Sequence, residues 1–366
     1  MKLTDQMGLK VLVPVAVVLL ALGAGMIPLL ATGNDPVVAY IALFQGALGS
    51  KHGITETLVK AIPLLLTGLA VSFPLQARFW NIGAEGQLYL GAIAATWVAL
   101  TLTPFPAFIL LPLVVLSGFL AGALWGLIPA LLKTRFQVNE IILTLMMNYI
   151  AINWSNYLVH GPLKDPKGFN FPVTAVFPEA AWLPRLPGTR LHAGIILAVM
   201  MMSFIYFILR KTRLGYEIKV VGANPQTARY AGMDLTKILL LVTILGGGMA
   251  GLAGVGEVAG LQHRLRKDIS PGYGYTAIPI ALLGKGHPLG VGLSALLFAA
   301  LFVGGSNMQQ TTKVPVALIS IIQALVVLFV VAGEALLGRL SEARGPLQVR
   351  RGDPTSPSYD ARRTAD

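Results

Sequence analysis

Residues 105–132 read FPAFILLPLVVLSGFLAGALWGLIPALL, and no side chain in that run carries a charge. A helix needs about 20 mostly apolar residues to cross the hydrocarbon core of a bilayer, so this stretch reads as a membrane span. Working outward, the same criterion selects residues 9–31, 56–76, 84–103, 139–160, 191–210, 236–260, 272–284, 288–305 and 314–337, about ten segments in all. The segment 272–284 is too short to cross and reads as a half-helix or re-entrant piece. The first segment follows Lys2 and Lys10 as a signal peptide would, but its apolar run is longer than a signal core, which favours a retained anchor. The expected fold is an all-α polytopic membrane protein containing a short or broken segment.

Composition agrees with that reading. Of the 366 residues, 55% are hydrophobic and 12% are charged, and the mean hydropathy is +0.71. Soluble domains carry about 25% charged residues, so a soluble globule of this size would lack a polar skin. With no cysteine, the chain has no disulfide, thiolate nucleophile or zinc–thiolate site. The net charge of +12 suits a basic cytoplasmic face against anionic lipid. Nucleic acid is not expected, because no basic run alternates with aromatic residues as a stacking platform requires. With the N-terminus placed in the cytoplasm, 18 of the 28 Lys and Arg fall inside, which puts both termini there. Six of these, Arg210, Lys211, Arg213, Lys219, Arg229 and Lys237, share one loop. Residues 1–337 thus form the membrane domain, and 338–366 a polar tail expected to be disordered. Outside, residues 37–48 are expected as an interfacial helix. Residues 161–190, with six prolines, form an irregular lid or docking surface, and His263, Arg264, Arg266 and Lys267 make a basic cluster.

Polar groups inside apolar spans are costly and need a reason. Residues 78–87 (RFWNIGAEGQ) place Asn81, Glu85 and Gln87 between two apolar runs, with Gly83 and Gly86 loosening the chain. A broken helix bearing such groups is the expected build of a midplane gate or solute site. The plainer alternative is a cytoplasmic turn with Glu85 favoured by a helix N-terminus. Glu140, Thr144 and Asn148 recur every four residues and form one stripe that faces the bundle, either lining a pathway or bonding helices together. Gly247/Gly251 and Gly256/Gly260 have the small-residue spacing of close helix packing. Glu257 lies beside them near an outer end, where it either snorkels to water or serves the function. Gly246-x-Gly248-x-x-Gly251 matches a dinucleotide fingerprint only formally, since no strand precedes it. The five histidines form no ligand-spaced pair, so no metal site is expected. No hydrolase motif or Walker A sequence occurs, so any ATP must bind elsewhere.

Four phrases, in order, resemble the permease subunits of ABC importers of the ribose and nucleoside type. They are Phe79 to Gln87 (FWNIGAEGQ), Asn139 to Ala151 (NEIILTLMMNYIA), Thr212 to Met233 (TRLGYEIKVVGANPQTARYAGM) and residues 272–290 (GYGYTAIPIALLGKGHPLG). The second is similar to the nucleoside-importing branch. The third resembles the cytoplasmic coupling loop, here within 211–235, at Gly215, Gly222, Asn224, Pro225, Ala228 and Gly232. The resemblance covers about residues 9–337. It implies an inner-membrane transport subunit that is not itself an enzyme and has no cofactor of its own. ATP–Mg would sit on a partner ABC ATPase. A second permease in a heterodimer, an extracytoplasmic solute-binding protein and membrane lipid complete the expected partners. Translocation of nucleosides by alternating access follows, with Asn81, Glu85, Gln87, Glu140, Thr144 and Asn148 as pathway or gate residues. The alternatives are a permease for simple sugars, or an ion-coupled secondary transporter titrating Glu85 or Glu140.

Overall fold

The computed structural model of the chain describes residues 3–343, and among these the regular structure is helical, without a β-strand. The helices are α1 (Leu3–Ala31), α2 (Pro36–Leu48), α3 (Lys51–Leu75), α4 (Ala84–Thr101), α5 (Ala107–Phe136), α6 (Glu140–His160) and α7 (Gly194–Lys211). They continue with α8 (Arg213–Ala223), α9 (Pro225–Tyr230), α10 (Leu235–Val255), α11 (Tyr273–Leu283), α12 (Pro288–Thr312) and α13 (Val316–Ala343). α10 runs on into a π-helical segment, Gly256–Gln262. Each stretch expected to span lies on one of these helices. By length and composition, α3, α5, α7, α10 with its π segment, and α12 are long and apolar enough to cross a membrane. α11 is 11 residues and too short to do so alone, as its sequence implied.

Capping side chains set many of the helix starts. Asp35, Ser50, Asn139, Thr212, Asn224 and Asp234 each accept a backbone N–H from the first turn of the helix that follows. The loop after α7 is therefore two helices, α8 and α9. Residues 161–190 are irregular apart from a single 3-10 turn, Glu179–Ala181. They are tied to the segment after α10 through Thr174 N donating to Leu265 O and an antiparallel bridge between Val173 and Arg266. α13 extends six residues beyond the boundary expected at position 337, so residues 338–343 are helical; the rest of the tail lies outside the described residues.

The core is built on α10, which packs against α3, α4 and α5. Lipid gives helices no hydrophobic reason to associate, so close van der Waals packing must hold them. A Cβ added to Gly251 would stand 2.1 Å from Gly118 O, one on Gly122 2.3 Å from Gly247 O, and one on Gly91 2.4 Å from the Gly251 Cα. α4, α5 and α10 therefore touch main chain to main chain. Gly260 instead seats the His192 ring, with Nδ1 2.4 Å from its would-be Cβ, and Gly256 has no neighbour nearer than 3.7 Å.

Candidate functional site

The chain leaves α3 at Leu75 and starts α4 at Ala84, and the eight residues between form a break between the two helices. Asn81 and Gln87 pair through their amides, Nδ2 to Oε1 at 3.0 Å and Nε2 to Oδ1 at 2.9 Å. Asn81 also donates to Ala70 O at 3.0 Å, holding the break against α3. From α6, Asn148 Oδ1 accepts from Gly86 N at 2.8 Å while its Nδ2 donates to Ile82 O at 2.8 Å. All three amides are buried, and their bonds satisfy backbone groups that the broken helix would leave bare. Thr144, one turn before Asn148, is buried against Gly83 and back-bonds to Glu140 O at 2.6 Å.

Glu85 is buried in the first turn of α4 and reaches the first turn of α11, where it accepts from Gly274 N at 2.6 Å. The two N-termini meet so closely that a Cβ on Gly274 would stand 2.2 Å from Glu85 N. A carboxylate between two helix N-termini is favoured by both dipoles. The stripe of Glu140, Thr144 and Asn148 thus faces the bundle, but Glu140 stands apart from the others. It ion-pairs with Lys133 of α5 at the edge of the cluster.

Sequence reasoning missed a neighbouring group. Lys60 of α3 donates to the Tyr273 hydroxyl at 2.7 Å, and the same hydroxyl bonds Glu257. Glu257 does not snorkel: it is buried in the π segment and faces Tyr273 across the helix interface. Lys60 drew no attention because a lone lysine in a span resembles an end-of-helix residue, and Tyr273 because aromatic residues fill any core. α6 also carries a second polar face, with Tyr149, Trp154 and Tyr157 exposed beside Asn153, and the Asn156 Oδ1 without a partner.

The opposite feature is α8–α9. Asn224 caps α9 through Gln226 N at 2.9 Å, Pro225 opens its first turn, and Gly232 closes it with φ +74°. Tyr230 at its tip is 93% exposed. A cavity of about 430 Å³ opens between α8 and the start of α10, lined by Arg213, Tyr216, Glu217, Gly232, Asp234 and Lys237 among others. Ala228 is the buried residue of α9, and Gly215 lies where a Cβ would stand 2.2 Å from Ile208 O, so α8 folds tightly back on α7. Gly222 meets Gln76 O in the same manner, at 1.9 Å.

Comparison with known proteins gives this geometry its family. Residues 53–331 match the family described as branched-chain amino acid transport system / permease component. The glucose ABC transporter permease protein TsgB13 of Haloferax volcanii is 48% identical over 88% of this chain and 87% of its own length. The guanosine ABC transporter permease protein NupP of Bacillus subtilis is 38% identical over 90% of this chain and 97% of its own. A second guanosine permease of that Bacillus, NupQ, is 27% identical over 69% of this chain and 79% of its own. ABC permeases of this class work with a separate ATPase, often beside a second permease. The chain belongs to the branched-chain amino acid transport system / permease component family, and it is a multi-pass membrane permease subunit of an ABC importer, not a catalytic subunit.

Proposed function

We propose that the chain forms half of an inner-membrane pathway for neutral, hydroxyl-rich solutes, nucleosides first, and that it works by alternating access between two open forms. The observation that carries this reading is the α8–α9 pair, an exposed helical tip beside a cavity on a rigid bundle, which suits docking of a motor subunit. Gly215, Gly222, Asn224, Pro225, Ala228 and Gly232 shape that pair, and the basic residues of the loop support a cytoplasmic position for it and for both termini. At the other end, Lys167, Arg264, Arg266 and Lys267 surround a cavity of about 510 Å³ together with Phe169 and Phe171. That surface fits the acidic face of a solute-binding protein.

Asn81, Glu85, Gln87, Glu140, Thr144 and Asn148 serve as a gate in this reading. Their polar atoms are occupied by protein groups, as expected of a closed gate, and would be released when α4, α6 and α11 shift. The exposed polar face of α6 then lines the path against the second permease, since Asn and Tyr side chains there are costly in lipid. The naming of two guanosine permeases in one Bacillus favours a partner of different sequence. Nucleosides are supported by NupP. A sugar is the second reading, favoured by the higher identity to the Haloferax glucose permease.

The test is uptake by proteoliposomes holding this chain, its partner permease, the ATPase and the binding protein. ATP-dependent accumulation of labelled guanosine that excess glucose does not compete supports the nucleoside reading. Accumulation of glucose but not guanosine replaces it with the sugar reading.

A further inference from the structure

The C-terminus of α8 is tied to the turn after α3 by one side chain, while Lys219 Nζ donates to Leu209 O at 2.7 Å and holds α8 on α7. The guanidinium of Arg78 donates from Nε to Gly222 O at 2.6 Å and from Nη2 to Ala223 O at 2.8 Å. These are the last carbonyls of α8, which have no partner within the helix and carry its negative pole. The fork of Arg fixes direction as well as distance, because two parallel donors hold two acceptors at once. Arg78 itself has φ 59°, a left-handed conformation that few non-glycine residues adopt. Its side chain is exposed, so these bonds are not the consequence of burying a charge.

The turn that carries Arg78 is held on every side. The Gly222 backbone rests directly on Gln76 O, which blocks sliding at that point. Gln76 Nε2 donates to Gly286 O at 2.9 Å, in the loop between α11 and α12. Lys133 of α5 donates to Arg78 O at 3.4 Å and lies 5.2 Å from the centre of the Phe79 ring. Three residues on, the break is bonded to α3, α4 and α6 through Asn81, Gln87 and Asn148. A displacement of α8 therefore has a continuous route of hydrogen bonds and backbone contacts into the buried cluster, and Arg78 is its first joint.

We propose that Arg78 is a positioning residue for coupled transport, whose fork on the C-terminus of α8 delivers the movement of α8–α9 to the break and through it to α4, α6 and α11. The proposal rests on the reading of α8–α9 as the docking element of the ATPase. Arg78 touches neither solute nor nucleotide in it, so its loss separates two activities that normally run together.

The experiment uses the assembled transporter in proteoliposomes, with uptake and ATP hydrolysis measured on the same preparation. In Arg78→Gln, uptake falls about tenfold while hydrolysis stays within about twofold of wild type, the loss expected from removing a charge-assisted pair. Arg78→Lys keeps the charge without the fork and recovers part of the uptake. Uptake and hydrolysis falling in the same proportion, or both staying unchanged, overturns the proposal. If Arg78→Gln fails to assemble, Arg78→Lys is read by the same ratio. Gly232→Trp, just past the C-terminus of α9, serves as the separating control. If that variant transports normally, the docking reading fails, whereas a normal ratio in Arg78→Gln with a defective Gly232→Trp removes only the role of Arg78.

Discussion

Asn148 shows what one buried amide does in a broken helix. It supplies the acceptor for Gly86 N and the donor for Ile82 O, and leucine can supply neither. Asn148→Leu leaves two buried backbone groups bare, at about 1–3 kcal/mol each. Thermal unfolding of the purified chain in detergent should therefore begin several degrees lower, and coupled uptake should fall. An unchanged melting curve would mean that water or a shifted side chain replaces the amide. The helical spacing of Glu140, Thr144 and Asn148 was legible in the sequence, and so was their inward face. Their partners were not, because Ile82 O, Gly86 N and Lys133 come from other parts of the chain, and spacing along one helix says nothing of what faces it. Glu257 was left open between water and function for the same reason: its place near a span end does not show that the π segment turns it onto Tyr273.

Among elements, the glycines of α10 divide by what faces them. Gly251→Ala drives a methyl against Gly118 O, so it should destabilise the chain by about 1–3 kcal/mol. Gly256→Ala meets only ordinary contacts and should leave the melting temperature nearly unchanged. Equal shifts for the two would mean that the seam between α5 and α10 relaxes freely. The spacing of four along α10 was visible in the sequence, yet it does not separate Gly251 from Gly256. The distinction lies in α5, whose Gly118 and Gly122 went unremarked in a run read only for its length. In the loop after α10, His263 stacks on Trp182 with ring centres 3.9 Å apart. Burial, with the nearby Arg185 charge, pushes its pKa down to about 4. Since the folded value lies below the ordinary 6.5, the unfolded loop binds more protons between the two values, and the loop loses stability as pH falls through that window. Protection factors over residues 173–186, corrected for the intrinsic pH dependence of amide exchange, should fall between pH 7 and 5, and His263→Phe should abolish the response. Protection factors that are flat with pH in the wild type would show that the ring protonates without cost.

At the scale of the whole molecule, the proposed function makes the chain a conduit moved from one face by a separate ATPase. Gly232→Trp should abolish ATP-coupled uptake while membrane insertion persists, because its φ of +74° closes α9 and a bulky residue there distorts the tip. Normal uptake would remove α9 from the coupling path. Collapse of the proton gradient should leave uptake intact and ATP depletion should stop it, the reverse of an ion-coupled carrier. The helical architecture was legible because hydropathy and length act locally. α8 was not, since an amphipathic surface helix among basic residues resembles a solvated loop until Thr212 is seen capping it. The glycine seam sets the shape of any motion the chain can make. α4, α5 and α10 meet backbone to backbone at Gly91, Gly118, Gly122, Gly247 and Gly251, with the Val255 and Phe119 side chains set beside that seam, so main-chain contact blocks one helix from sliding past another. In the proposed cycle the three form a keel that turns as one piece, carrying α4 relative to α6 and α11. A scan of every position for tolerance should trace that keel as a narrow band of sites that refuse even a methyl group.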